Sequence, residues 1–283
     1  MNTQIPHHAR ENGNYLFRGN PNPENYDTVF FVGNGAINNG NRPLEDWAKT
    51  LNESSNTFGK YFEPQDHLSK LAIQFRLCRA TDQSDDINST QRIIKTEKEL
   101  LGRFFRLGAQ DLSLRKLPEH MLQELNKHKT LVVTTNWDST LWNNTPKNLV
   151  QLHGSCMRPD TMVLPTEYLI DFFGCGSSAA RNLDPSFDMS PQIAAVMGQL
   201  HGLVMNTLEH AQRIFVWGLA LNSYDFEVAS LFLANQNCKA SSKKAWIINP
   251  DKQAVLRAGA FLQREQLIWI DPTKNFGKTH IQS

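Results

Sequence analysis

"LVVTTNWDSTLW", residues 131–142, decides the fold. Leu131, Val132 and Val133 form a short β-branched run bounded by polar residues, the pattern of a buried strand. Short apolar strands of this kind, alternating with helices, build a parallel sheet covered on both faces. The run ends on Thr134-Thr135-Asn136-Trp137-Asp138, too particular for a generic loop. An asparagine followed two residues later by an aspartate raises the question of what stands at the mouth of a core strand.

Reading outward from that strand, Thr28 to Val32 (TVFFV) is the first convincing one, and it runs straight into Gly33-Asn34-Gly35-Ala36. Leu44 to Leu51 reads as a short helix. From about residue 60 to 128 the pattern is helical. Leu68, Leu71, Ala72, Phe75 and Cys78 recur at three- and four-residue spacings, as do Ile93, Ile94, Leu100, Leu101, Phe104 and Phe105. "SDDINST" between them reads as a polar loop, with Ser89 or Thr90 capping the second helix, and Pro118 takes the first position of a third. Further strands are expected at Leu149–Leu152, Met162–Leu164, Ile214–Trp217, Ala245–Ile248 and Leu267–Ile270. Helices are expected at Pro191–His210, Phe226–Ala234 and Lys252–Gln263. Residues 1–27, rich in Asn, Pro, Gly and Glu, read as a polar arm that is disordered or docks on a partner.

The bulk properties exclude several classes. Lysine plus arginine number 29 against 28 aspartates and glutamates, so no global basic field draws in nucleic acid. No apolar run reaches the roughly 20 residues needed to span a bilayer. Met1 to Arg10 is polar and includes His7 and His8, unlike a signal peptide. The cysteines at 78, 156, 175 and 238 form no Cys-x-x-Cys pair, so no zinc site is expected, and scattered thiols suit a reducing cytoplasm.

In an open parallel sheet, ligands bind beyond the carboxyl ends of the strands. Here those ends carry Gly33-Asn34-Gly35, Thr135-Asn136-Trp137-Asp138, His153-Gly154-Ser155, Gly218-Leu219-Ala220-Leu221-Asn222-Ser223 and Asn249. Gly33 and Gly35 would let backbone amides and a helix start approach a pyrophosphate, although a Gly-Asn-Gly turn is often only a turn. Asn136 and Asp138 would orient a water and a ribose and stabilise developing positive charge. The plainer reading is an Asx-turn in which Asp138 caps the next helix. His153, ending a strand beside the other ligand-like ends, is a candidate general base.

Taken together, "FFVGNGAIN", "VVTTNWD", "VQLHGS", "FVWGLALNSYDFEVASLF" and "AWIINPD" resemble, in order, the motifs of the SIR2 family, and "VLPTEYLIDFF" looks like a stretch common in its bacterial members. The resemblance runs from Thr28 to about Ile270. It implies a Rossmann-like sheet with an inserted module and NAD⁺ as substrate. On matching positions, Gly33, Asn34, Gly35 and Ala36 would line the pyrophosphate site. Thr135 and Asn136 would meet the water or nicotinamide ribose, and Asp138 would hold the nicotinamide end. His153 would be the base, and Gly218, Leu219, Asn222 and Asn249 would face the adenosine half.

Deacylases of this family carry a four-cysteine zinc module after the His-Gly, and this chain has only Cys156 and Cys175 there. The resemblance therefore implies a metal-free NAD⁺ glycohydrolase that yields nicotinamide and ADP-ribose, an effector of abortive antiviral defence in bacteria. An unregulated enzyme of this kind would kill its host, so an activating partner is expected: a HerA-like ATPase, a short Argonaute or a nucleotide-sensing protein. Residues 1–27 and the helical block are the surfaces for that partner or for a homo-oligomer. The competing readings are a non-catalytic NAD⁺ or ADP-ribose sensor and an NAD-dependent deacylase.

Overall fold

The computed structural model of the protein describes residues 16–54, 84–144, 146–163, 191–221, 226–236, 243–262 and 267–274. Its main sheet contains β1 (Phe17–Arg18), β2 (Thr28–Val32), β5 (Thr130–Thr134), β6 (Leu149–Gln151), β7 (Arg213–Trp217), β8 (Lys244–Ile248) and β9 (Leu267–Ile270). A separate short ribbon pairs β3 (Ile37–Asn38) with β4 (Ser113–Leu114). The sheet order is β1-β6-β5-β2-β7-β8-β9, and every pair is parallel except β1 with β6. The six parallel strands thus run 3-2-1-4-5-6 in order of appearance, the doubly wound arrangement of a Rossmann-like α/β fold. The switch point lies between β2 and β7.

The helices are α1 (Arg42–Ser54), α2 (Ser84–Leu107), α3 (Glu119–Leu125), α4 (Thr140–Asn143), α5 (Pro191–His210), α6 (Phe226–Gln236) and α7 (Gln253–Ala258). Alternate strand residues feed two cores, because successive side chains point to opposite faces. Val29, Phe31, Leu131, Val133, Ile214, Val216 and Ile247 pack with residues of α5, α6 and α7. Phe30, Val32, Val132, Phe215, Trp217 and Ile248 pack on the other face with residues of α3 and α4. There the rings of Phe30 and Phe215 stack at 4.9 Å, and those of Phe215 and Trp246 at 4.5 Å, binding three adjacent strands.

A third cluster, Trp47, Ile94, Leu101, Phe105, Cys156 and Met162, belongs to the inserted helical segment. There α1 and α2 pack together, and the Trp47 indole donates to Glu97 at 2.9 Å. Cys156 and Met162 come from the loop after β6, so the insertion sits on the carboxyl edge of the sheet. The expected helix around Leu68–Cys78 lies outside the described residues. No helix among the described residues is long and apolar enough to cross a membrane.

Several expectations need correction. Residues 1–15 of the expected arm lie outside the described residues, and residues 16–27 are part of the fold: Leu16, Phe17 and Tyr26 are buried, and β1 closes the β6 edge, where the Gln151 backbone N–H donates to Leu16 at 2.9 Å. Three apolar side chains in a polar stretch were enough to anchor it. "SDDINST" is no loop but the opening of α2, since serine and aspartate begin helices as readily as they form turns. Pro118 is the residue before α3 rather than its first. Met162 and Val163 are buried but form no strand; they follow a 3-10 turn, and the Val163 amide donates to the His153 carbonyl at 2.9 Å. Helix α7 stops at Ala258 instead of 263, with Gly259 as its cap.

Candidate functional site

The last residues of the parallel strands lie in register, Gln151 beside Thr134, Thr134 beside Val32, Val32 beside Trp217 and Trp217 beside Ile248. The loops that leave these strands are therefore delivered to one edge. The Thr134 hydroxyl donates to the Val32 carbonyl at 2.8 Å and accepts from the Asn136 backbone N–H at 3.1 Å, so it ties the turn after β5 to the central strand. Gln151 grips the same turn from the other side. Its Nε2 donates to the carbonyls of Asn136 at 3.2 Å and Asp138 at 3.0 Å.

Asn136 and Asp138 are both buried, at 8% and 4% exposure, where a generic loop would leave them in water. The Asn136 Nδ2 is buried with no protein hydrogen-bond partner among the described residues, and so are Gln151 Oε1 and the indole nitrogens of Trp137 and Trp217. Buried polar atoms are nearly always paired, so four such atoms on residues at or next to strand ends make this edge the candidate site, although Thr130 Oγ1 and Gln199 Oε1, elsewhere in the fold, are unpaired too. Asp138 combines both readings of the sequence. Its Oδ1 accepts from the Thr140 amide at 2.8 Å in an Asx-turn that starts α4. Burial also raises its carboxyl above the usual range, against the hydrogen bonds to Thr140, which lower it.

His153 is half-buried on the loop after β6. Gly154 follows with φ +79°, and a Cβ there would stand 1.9 Å from the Thr161 carbonyl oxygen, so only glycine fits. The loop is laced to its surroundings: the Cys156 amide donates to Trp137 at 2.8 Å, and the Arg106 guanidinium of α2 donates to the Cys156 carbonyl. The Trp137 ring meets Phe105 edge-on at 5.8 Å. Helix α2 therefore buttresses both candidate loops. Burial, with Asp138 nearby, pushes the Cys156 thiol up to about 12, which leaves it inert.

The glycine loop is organised differently from the expectation. The Gly33 amide donates to Trp217 at 2.8 Å, Gly35 to Gly218 at 2.9 Å and Ala36 to Gly33 at 3.0 Å. Only a 3-10 turn, Asn34–Ala36, comes next, rather than a helix start. Gly218 (φ +70°) is pressed so closely on this loop that a Cβ would lie 2.1 Å from the Ala36 nitrogen. The glycines thus serve first to let the loops after β2 and β7 interlock across the switch point.

Asn249 is likewise tied into the fold. Its Nδ2 donates to the Leu219 carbonyl at 2.8 Å and its Oδ1 accepts from the Asp251 amide at 2.9 Å, so it fixes the loop after β7 from the β8 side. Asn222 lies outside the described residues, as do the chain beyond Val163 in "VLPTEYLIDFF" and the cysteines at 78, 175 and 238. The residue that sequence reasoning missed is Gln151. Its signal was available: a glutamine inside an otherwise apolar strand, two positions before the histidine.

Among the described residues no group of three or more His, Cys, Asp or Glu side chains is placed to hold a metal. No family model matches the chain, and no curated protein or solved structure matches it. The fold and the strand-end geometry therefore carry the functional argument.

Proposed function

We propose that the protein is an NAD⁺ glycohydrolase whose reacting site lies between the turn after β5 and the loop after β6. The observation that supports it most is the buried, unpaired side-chain Nδ2 of Asn136, held at the strand mouth beside Asp138 on the sheet edge that also carries His153. In this reading the nicotinamide–ribose C–N bond breaks, nicotinamide leaves with the bonding electron pair, and water adds to the ribose carbon. Asn136 orients that water. His153 takes a proton from the ribose, and the burial around Asp138 excludes stray solvent. A buried carboxyl of raised pKa ionises more readily when a cation docks beside it, so the positively charged nicotinamide ring and Asp138 would favour each other. The pyrophosphate would lie over the interlocked loops after β2 and β7, with Gly33, Asn34, Gly35, Ala36, Gly218 and Leu219 beneath it.

The same reading makes the protein an antiviral effector switched on by a separate protein, with α1 and α2, which rest on the site, as the elements through which that partner acts. The test is release of nicotinamide from NAD⁺ by the purified protein, alone and co-expressed with its neighbouring proteins, beside His153→Ala and Asn136→Ala. Release by the wild type and loss of most of it in both folded variants is the expected result. Full turnover in either variant removes that residue from the mechanism. NAD⁺ binding without turnover under every condition would favour the sensor reading.

A further inference from the structure

We propose that Gln151 is the positioning residue of this site, the group that sets where Asn136 and Asp138 stand; the inference rests on reading the Asn136–Asp138 turn as the reacting site. Gln151 is the last residue of β6 and is 1% exposed. A strand covered on both faces fills such a position with an apolar side chain unless a polar one has a task. Here the task is visible. One Nε2 spans the carbonyls of both Asn136 and Asp138, at 3.2 and 3.0 Å, bracketing Trp137. The opposite orientation of the amide would turn Oε1 against two carbonyl oxygens, so the network fixes it.

That orientation has a second effect. It leaves Oε1 buried, an acceptor without a protein partner, next to a turn whose own Asn136 Nδ2 is a donor without one. Gln151 thus holds the turn by its backbone and leaves one more buried acceptor at this edge. A leucine or methionine would fill the same volume and do neither. The Thr134 hydroxyl fixes only the start of the turn, through the Asn136 amide. The Cys156 N–H holds its middle at the Trp137 carbonyl, and its far end at Asp138 is held by Gln151 and by the cap bond to Thr140.

The experiment uses the full chain labelled with 5-fluorotryptophan, with the Trp137 fluorine resonance assigned by its loss in Trp137→Phe. Trp137 lies between the two carbonyls, so its resonance reports the position of the turn. In Gln151→Met the resonance should move or split. In Gln151→Glu it should be displaced at pH 8, where a carboxylate faces two carbonyls. It should return towards the wild-type position at pH 5, where the protonated acid can donate to one of them. With NAD⁺ as the probe, Gln151→Met should lower kcat roughly tenfold or more, the loss of two hydrogen bonds, with KM within about twofold. Gln151→Glu should regain part of its kcat at pH 5 relative to wild type.

A Trp137 resonance in Gln151→Met that superimposes on the wild type overturns the proposal, as does an unchanged kcat. If the wild type releases no nicotinamide under any condition, the hydrolase reading fails, and the fluorine spectra still decide whether Gln151 sets the turn. If Gln151→Met does not fold, Gln151→Glu at the two pH values carries the test.

Discussion

Replacing Gly218 by alanine tests the interlock at the switch point. Three costs arise from the geometry. A φ of +70° suits glycine, and an L-residue there costs about 1–2 kcal/mol. The new methyl would then stand 2.1 Å from the Ala36 nitrogen and 2.5 Å from the Gly35 carbonyl carbon, both backbone atoms that no rotamer change can clear. The loop after β2 must back away, at roughly 1–3 kcal/mol for overpacking. The Gly35 to Gly218 hydrogen bond at 2.9 Å would stretch or break, at about 1 kcal/mol. Together these come to about 3–6 kcal/mol, a large part of the roughly 5–15 kcal/mol that holds a domain folded. At about 2–4 °C per kcal/mol, Tm should fall by roughly 6–24 °C. Thermal unfolding followed by circular dichroism measures it, with Gly198→Ala as the control. Gly198 is a glycine of α5 whose Cβ would meet nothing within 4 Å, so that variant should gain about 0.5–1 kcal/mol. A Gly218→Ala midpoint within about 2 °C of wild type would refute the interlock.

Three further outcomes are expected. Burial raises the Asp138 carboxyl, so the folded state holds that proton to higher pH than the unfolded chain. Stability should fall as pH rises above about 4, and Asp138→Asn should remove this dependence; urea unfolding across that range decides it, and parallel curves would exclude Asp138 as the source. The Cys156 thiol, 1% exposed and pushed up to about 12, should resist iodoacetamide at pH 8 in the native protein and react once unfolded, as peptide mass spectrometry can follow. Leu101→Ala in α2, at a fully buried position, should cost about 2–5 kcal/mol. Loosening of α2 should also reach Trp137 through Phe105, visible as a change in near-ultraviolet circular dichroism.

The sheet was legible in the sequence because its strands are apolar on both faces. Val29 to Val32 and Leu131 to Val133 have no polar residue to mislead the reading, and turn residues bound each run. The mouth of β5 was legible too, since a buried Asn and Asp are costly and stand out beside such a strand. Other features depend on contacts distant in sequence. Nothing local says that Leu16 and Phe17 will reach Gln151 and Val150, or that Gly33 and Gly35 close on the loop after β7. Ser84-Asp85-Asp86 suits a helix start and a loop equally, and only the packing of the α2 residues Ile94, Leu101 and Phe105 on Trp47 settles it. Gln151 was passed over because its role lies in the two carbonyls it spans across the sheet edge.

The order of the strands also has a consequence in time. Strand β2 leaves the ribosome well before its neighbour β7; Asp27 and its partner Arg213 are 186 residues apart. At roughly 5–20 residues per second of synthesis, the central strand waits about 10–40 s with one edge unpaired. During that interval the loop after β2 has no Gly218 to close on and the nucleotide half of the proposed site does not exist. On the proposed function, a nascent or truncated chain would therefore lack half of its site, while its β2 edge stays open as a template for pairing. Until β7 arrives, such an edge is what a chaperone would cover.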